Sequence, residues 1–126
     1  MGDPARTARE VVELYNLSVW NERNFDMADE LVADTMIRHE VGSGHAVTRQ
    51  QVRKGIEEIL AMFDKLHWDL HLVIGGDDGQ HVAVVYNGTM TKGGDEAQVG
   101  GMQVYRVVDG EITEMWNGGD KQGLWL

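Results

Sequence analysis

Cysteine is absent from this chain of 126 residues, which excludes disulfides, a thiol nucleophile and thiolate metal sites. No apolar run approaches the roughly 20 residues of a membrane span. Basic residues are few, 11 against 21 acidic ones, and the resulting net charge of −10 argues against nucleic acid or an anionic membrane as a partner. The start, Met1-Gly2-Asp3-Pro4, lacks the basic and apolar regions of a signal peptide, so we expect a cytoplasmic protein.

The remaining composition is that of an ordinary globular protein. Apolar residues make up 42% of the chain and charged residues 25%. The chain is long enough to bury a core, and no repeat, low-complexity segment or linker interrupts it. We therefore expect a single domain over residues 1–126. Because there are 16 glycines and one proline, we expect turns that are formed mostly by glycine.

Helical periodicity predicts three helices in the first half of the chain. Asp3 and Pro4 suit the N-cap and first position of the first helix, along which apolar residues recur at helical spacing. A short second helix is predicted over residues 27–33. Thr48 begins the third helix, and Gln51 three residues later completes a capping box.

Three aromatic residues of this helical half are candidate substrate-binding residues. Tyr15 is either a core tyrosine or a phenol that donates to a substrate oxygen, and the pattern leaves both possibilities open. Trp20 widens the apolar stripe of the first helix, and Phe63 belongs to that of the third. Because ligand pockets are lined mostly by apolar and aromatic side chains, we expect all three beside a pocket.

The short segment 35–41 alternates in polarity and predicts a strand with Ile37, His39 and Val41 on its apolar face. A histidine on such a face is either a satisfied core residue or a catalyst. The period is again two from residue 67 onward, where His67, Asp69 and His71 share a face. Because same-face positions lie about 6.6 Å apart along a strand, we predict a solvated face there and no metal site.

Further strands are predicted over residues 81–91 and from residue 98 onward, separated by glycine-rich turns at 75–79 and 92–95. Helices that precede a run of antiparallel strands are typical of the α+β class. The sequence therefore predicts helices packed on one face of a curved sheet.

The strongest local signal is Asp109-Gly110, which lies between two alternating runs and predicts a β-hairpin with a two-residue turn. This turn would pair Tyr105 with Glu114, and Gln103 with Trp116. One face would then carry Gln103, Tyr105, Val107, Ile112, Glu114 and Trp116. Aromatic residues with a few polar groups are typical of a pocket wall, so Gln103, Tyr105, Glu114 and Trp116 are candidate substrate-binding residues, whereas Arg106 faces away.

The run V-Y-R-V-V-D-G-E-I-T-E-M-W-N-G-G-D-K-Q-G-L over residues 104–124 resembles the C-terminal signature of the SnoaL-like polyketide cyclase family. That family belongs to the nuclear-transport-factor-2-like, or ketosteroid-isomerase-like, superfamily. The resemblance implies a cone-shaped α+β barrel, in which a strongly curved, mixed and mostly antiparallel sheet wraps around three N-terminal helices. It also implies one deep apolar pocket, and frequently a homodimer.

The same resemblance assigns residues to roles. It makes Asp120 the catalytic general acid/base, and it makes His39 and Asn87 the polar residues that bind substrate oxygens, His39 as a second catalytic residue. The chain departs from the family where Phe63-Asp64-Lys65 replaces F-P-D, and where Leu124-Trp125-Leu126 replaces a Q-L-G ending. These departures leave the substrate open.

The expected chemistry requires neither a metal nor an organic cofactor. A carboxylate in an apolar, water-poor cavity is desolvated and can remove a proton next to a carbonyl, while His39, Tyr15 or Tyr105 stabilises the enolate oxygen. The sequence thus predicts a cyclase or isomerase for an apolar, carbonyl-bearing small molecule such as a polyketide. The alternatives are an epoxide hydrolase with an Asp-Arg-Asp arrangement, and a non-catalytic binding module in which Asp120 only caps a strand end in solvent.

Overall fold

A computed structural model describes residues 2–126, and Met1 lies outside the described residues. Three helices and seven strands follow one another in the order expected of an α+β fold. The helices are α1 (Ala8–Leu14), which continues as a π-helix (Tyr15–Asn21), α2 (Phe25–Leu31) and α3 (Arg49–Ala61). The strands are β1 (Val32–Glu40), β2 (Ser43–Thr48), β3 (Lys65–Gly75), β4 (His81–Lys92), β5 (Asp95–Val108), β6 (Glu111–Asn117) and β7 (Lys121–Gln122). No helix within residues 2–126 is long and apolar enough to cross a membrane.

The first helix begins later than the Asp3-Pro4 signal predicts. Its N-cap is Thr7, whose side chain accepts a hydrogen bond from the Glu10 N–H in a complete capping box. Asp3 instead accepts a hydrogen bond from the N–H of Ala5 and closes a turn ahead of the helix. The capping box predicted at Thr48 and Gln51 is present at the start of α3.

The sheet has the strand order β2-β1-β6-β5-β4-β3, with β7 beside β5. Strands β1 and β6 are parallel and every other pair is antiparallel. The predicted mixed sheet and α+β class are therefore confirmed. The sheet is open, because β2 and β3 are its edges and do not pair with each other, so hydrogen bonds between strands do not close the cone.

The predicted hairpin turn is confirmed, but the pairing register between β5 and β6 changes after the first two residue pairs. Asp109 and Gly110 both have positive φ, 51° and 78°, as a type I′ turn requires. Val107 pairs with Ile112 as predicted, and then a bulge at Thr113 shifts the pairing. Because one extra residue reverses the alternation, the assignment of Glu114 and Trp116 to the face of Tyr105 is wrong, and Met115 and Asn117 take those places.

Two other strands depart from the predicted faces. In β1 the inward residue is Met36, 1% exposed, whereas Ile37 is 42% exposed, so the face that carries His39 is the outer one. In β3 a register shift at His71 leaves Leu72 and Ile74 exposed, although the simple alternation predicts that both face inward with Trp68.

The core lies between the helices and the inner face of the sheet. The helices contribute an apolar stripe that includes Val11, Val12, Leu31 and Leu60, and all four are buried. Tyr105 of β5, with no exposed surface, lies at the centre of this layer and contacts Tyr15 edge to face, with ring centroids 6.0 Å apart. Packing the helices on one face of a bent sheet leaves a cavity beside this tyrosine pair.

Candidate functional site

A cavity of about 290 Å³ lies between the helices and the inner face of the sheet. Its lining combines an apolar and aromatic wall with a small number of polar groups, as is typical of small-molecule sites. Six of the residues predicted for the site line it: Tyr15, Trp20, Phe63, Gln103, Tyr105 and Asp120. The sequence reasoning missed Asn16, Arg38, Trp68, Tyr86, Met90, Met115 and Asn117, which also line it.

Asp120 is the one carboxylate among the described residues that line this cavity. It follows the Gly118-Gly119 break after β6, and the hydroxyl of Tyr86 on β4 donates a hydrogen bond to its Oδ1. Gly101 on β5 lies directly beneath this pair, because a Cβ at that position would come within 2.6 Å of Asp120 Oδ1 and would also collide with Tyr86. The absence of a side chain at position 101 therefore makes room for the tyrosine–carboxylate contact.

Burial raises the pKa of Tyr86, and its hydrogen bond to Asp120 raises it further. Because the phenol thus stays protonated, it remains a donor to the carboxylate at every physiological pH. One oxygen of Asp120 accepts from this donor, which restricts the orientation of the carboxylate, although Asp120 as a whole residue is exposed.

Tyr105 is the centre of a buried polar chain. Its hydroxyl donates to Gln103 Oε1 and accepts a 3.3 Å hydrogen bond from Asn16 Nδ2, which also donates to the carbonyl of Val12. Burial raises the pKa of Tyr105, and neighbouring Tyr15 adds to the rise. The hydroxyl of Tyr105 is therefore protonated and already engaged, so its role is to hold Asn16 and Gln103 in place at the cavity wall.

Two polar groups of the cavity lining have no protein partner. Arg38 Nε and Asn117 Oδ1 are buried atoms that hydrogen-bond to nothing within residues 2–126. Buried polar groups are hydrogen-bonded in the great majority of cases, so such exceptions need an explanation. A ligand in the cavity is one explanation, because both residues line it.

The aromatic wall is built from two tryptophans and a tyrosine. Trp68 lies edge to face against Trp20, at 5.8 Å, and against Tyr86, at 5.1 Å. Gly88 of β4 pairs with Trp68, and a Cβ there would overlap the indole ring. Gly88 therefore lets the indole of Trp68 lie close against β4. A glycine in a strand often marks a bulge or bend, but the pairing at Gly88 is regular.

Four predicted site residues lie elsewhere. Glu114 and Trp116 are on the outer sheet face because of the Thr113 bulge, and His39 is there with them. His39 Nε2 lies 2.8 Å from Glu114 Oε2, and its ring stacks on Trp116 with centroids 4.9 Å apart. The prediction that His39 shares a pocket with Asp120 is wrong, because Met36 and Arg38 occupy the inward positions of β1.

Asn87, the fourth, also points away from the cavity, since it follows the inward-facing Tyr86 in β4. Its side chain accepts a 2.8 Å hydrogen bond from the N–H of Trp125 and donates to the carbonyl of the same residue. The indole of Trp125 in turn donates to the carbonyl of Gly101, at 3.2 Å. Asn87 therefore anchors the segment after β7, and with it the chain around Asp120.

Some missed residues have a signal in the sequence and others do not. Arg38 and Met36 alternate with His39, so choosing the opposite face of β1 would have selected Arg38. Asn16 follows Tyr15, and both lie in the π-helix, whose wider turn no simple periodicity predicts. Among residues 2–126, no group of three or more histidine, aspartate or glutamate side chains is arranged to hold a metal ion.

The fold is shared with several solved structures. IdmH from Streptomyces antibioticus matches with a TM-score of 0.76 at 16% identity, over 93% of this chain and 92% of that one. A SnoaL-like polyketide cyclase from Agrobacterium tumefaciens matches with 0.74 at 15% identity, over 94% and 92%. An LEH-like epoxide hydrolase from M. tuberculosis matches with 0.71 at 20% identity, over 92% and 82%. At these identities the likeness shows the fold alone.

No curated protein matches the sequence. The family model of the SnoaL-like domain, in contrast, matches residues 11–115, which is most of the chain and includes the π-helix and the turn of the hairpin. This match and the shared fold agree with the resemblance of the hairpin region. The chain belongs to the SnoaL-like domain family.

Proposed function

We propose that the protein is an acid/base enzyme that acts on an apolar, carbonyl-bearing small molecule without a cofactor, by aldol-type cyclisation or by isomerisation. The observation that carries the proposal is the Tyr86–Asp120 pair at the wall of an aromatic cavity. Asp120 lies beyond the part of the chain that the family model matches, so its role rests on this geometry and on the resemblance of residues 104–124.

The first step is removal of a proton from the carbon next to the substrate carbonyl. Asp120 Oδ2 accepts this proton, while Tyr86 holds Oδ1 and keeps the carboxylate oriented. The resulting enolate carbon then attacks a second carbonyl of the same molecule in a cyclisation, or takes the proton back at another carbon in an isomerisation. In the cyclisation the protonated carboxyl of Asp120 gives its proton to the alkoxide oxygen that forms at the attacked carbonyl, and in the isomerisation it gives the proton to the new carbon. Asp120 is a carboxylate again at the end of both reactions.

The enolate oxygen requires a hydrogen-bond donor. Tyr15 supports this role because it lines the cavity and because burial raises the pKa of its hydroxyl, which keeps the proton in place. Tyr105 is less suited, since its hydroxyl already donates to Gln103. We therefore assign to Tyr15 the role of donor to the enolate oxygen, for which the sequence offered His39, Tyr15 and Tyr105.

The test is hydrogen–deuterium exchange at the α-carbon of 2-tetralone, a compact bicyclic ketone, followed by NMR in D₂O. The wild-type protein should accelerate exchange over buffer, and Asp120→Asn should lower the rate at least about 100-fold, the effect of removing a general base. Asp69→Asn, at an exposed position of β3, is the matched control and should exchange at the wild-type rate. Full exchange in Asp120→Asn, or none above buffer in the wild type, contradicts the proposal, and the second result favours a non-catalytic binding module.

Epoxide hydrolysis is the second candidate, because Arg38 shares the cavity with Asp120. An Asp-Arg-Asp arrangement also requires a second carboxylate beside the water that attacks. Within residues 2–126 the cavity lining offers only Asp120, and this ranks epoxide hydrolysis below proton transfer.

A further inference from the structure

Arg38 is the one cationic side chain among the described residues of the cavity lining. It projects from β1 on the same face as the buried Met36, and its Nε is buried without a hydrogen-bond partner. Its charge also reaches the tyrosines of the site: burial raises the pKa of Tyr15 and of Tyr105, and Arg38 offsets part of both rises. In the sheet, Arg38 of β1 and Tyr105 of β5 both pair with Met115 of β6, so Arg38 lies on the part of the cavity wall next to Tyr105.

Most of the other arginines of this chain form ion pairs with carboxylates. Five of the seven hold a carboxylate: Arg6, Arg9, Arg49, Arg53 and Arg106. Arg23 is exposed at the end of the π-helix. Arg38 forms none of the ion pairs found within residues 2–126, although the chain has 21 acidic residues to offer. A partly buried cation that avoids this excess of carboxylates is available for a ligand.

We propose that Arg38 is an anion subsite, and that the substrate carries a carboxylate in addition to its reacting carbonyl. A guanidinium offers two parallel N–H donors that match a carboxylate, and the pair is strongest where water is excluded. This inference rests on the proposed function for the reacting end of the molecule. It adds a fixed second point of attachment, so that the substrate lies with its carboxylate at Arg38 and its acidic carbon at Asp120.

The subsite also explains how an acidic protein accepts an anion. The net charge of −10 repels anionic molecules at long range, and only a local cation inside the cavity can reverse that preference. Because the remaining lining is largely aromatic and aliphatic, a single guanidinium permits one carboxylate on an otherwise apolar skeleton. Substrates with several negative charges are excluded by the same reasoning.

The test is calorimetric titration with 2-naphthoate and with 2-naphthamide, two probes of nearly the same shape of which only the first is charged. Wild-type protein should bind 2-naphthoate at least about 10-fold more tightly, as a charge-assisted hydrogen-bonded pair predicts. Arg38→Met should remove this preference, and Arg38→Lys should retain a reduced one, because the charge remains and the two-donor geometry is lost. Arg106→Met, which removes an arginine of the outer face, should behave as the wild type.

Equal binding of the two probes by the wild type, or an undiminished preference in Arg38→Met, overturns the subsite. If Arg38→Met fails to fold, Arg38→Lys decides, and a full wild-type preference in that variant counts against the two-donor geometry. Asp120→Asn separates the two proposals, since it should keep the preference for 2-naphthoate while losing proton exchange. An exchange-competent Asp120→Asn with the preference intact would remove the proposed function and leave the anion subsite standing.

Discussion

Polar groups on the two faces of the β5–β6 hairpin differ in whether they have hydrogen-bond partners within the protein. On the outer face, Glu114 accepts from both His39 and Arg106, at 2.8 and 3.2 Å, and Arg106 also donates to Gln80. On the inner face, Asn117 of β6 has a buried oxygen without a partner, and Arg38 of the neighbouring strand β1 has a buried nitrogen without one. The outer carboxylate thus has two donors within the protein, whereas these two inner atoms have no partner within residues 2–126.

This difference distinguishes polar groups that only stabilise the fold from polar groups that are available to a ligand. A satisfied network contributes modest stability and needs nothing from outside the chain. An unsatisfied buried group is costly unless a ligand completes it, and two of the three such atoms within residues 2–126, Arg38 Nε and Asn117 Oδ1, belong to residues that line the cavity, while the third is Arg6 Nη1. By this criterion His39, a residue that family resemblance favours, belongs to the outer network, and Arg38 is the group that we propose binds a ligand.

The largest effect on the inner face is expected from Gly101→Ala. The new methyl group would overlap Tyr86 and Asp120, so we expect a loss of about 2 kcal/mol in the free energy of unfolding: Asp120 is exposed and can move aside, but the Tyr86 ring also packs against Trp68. Proton exchange into 2-tetralone should fall with it, since Asp120 is displaced. Gly75→Ala is the control, because a Cβ there meets nothing within 4 Å. Wild-type stability and exchange in Gly101→Ala would contradict the described contact.

A smaller loss, about 1 to 2 kcal/mol, is expected from Tyr105→Phe, which leaves Gln103 without its buried donor. Chemical denaturation measures the change. Adding Gln103→Met removes the unsatisfied group as well, so the double variant should be more stable than the sum of the two single effects predicts. Strict additivity would show that the two side chains do not interact.

The smallest effect is expected on the outer face, from Glu114→Gln. Hydrogen bonding from His39, and then from Arg106, lowers the pKa of Glu114. A lowered carboxyl pKa stabilises the fold above the ordinary value of 4.5, and this contribution is lost as the pH falls below it. The wild type should therefore lose more stability than Glu114→Gln between about pH 6 and about pH 3, by less than about 1 kcal/mol. Glu96→Gln, at an exposed position, should lose as much stability as the wild type over this pH range. If Glu114→Gln also loses as much as the wild type, the outer network contributes nothing to stability.

The sequence predicts well what local chemistry determines. Asp109-Gly110 specifies a turn with two positive φ angles, and Thr48 with Gln51 specifies a helix start, because each depends on neighbouring residues alone. The α+β class follows from the order of helices and strands, and the family from the hairpin.

Which face of a strand points inward is less accessible from sequence. A single extra residue at Thr113 reverses the alternation after it, and no residue type announces that bulge. In β1 the inward face carries an arginine, so a count of apolar residues selects the wrong side. Both errors arise where tertiary packing overrides a local pattern, and both fall at the candidate site.

The position of Asp120 along the chain has a consequence for how the protein is made. Three helices and six strands precede it, and the contacts that complete the fold span long distances in sequence, 89 positions between Asn16 and Tyr105 and 109 between Gly2 and Glu111. The helices therefore cannot bury their apolar stripes against the centre of the sheet until β5 and β6 have been made. Completion of the core is thus a late event in the synthesis of this domain.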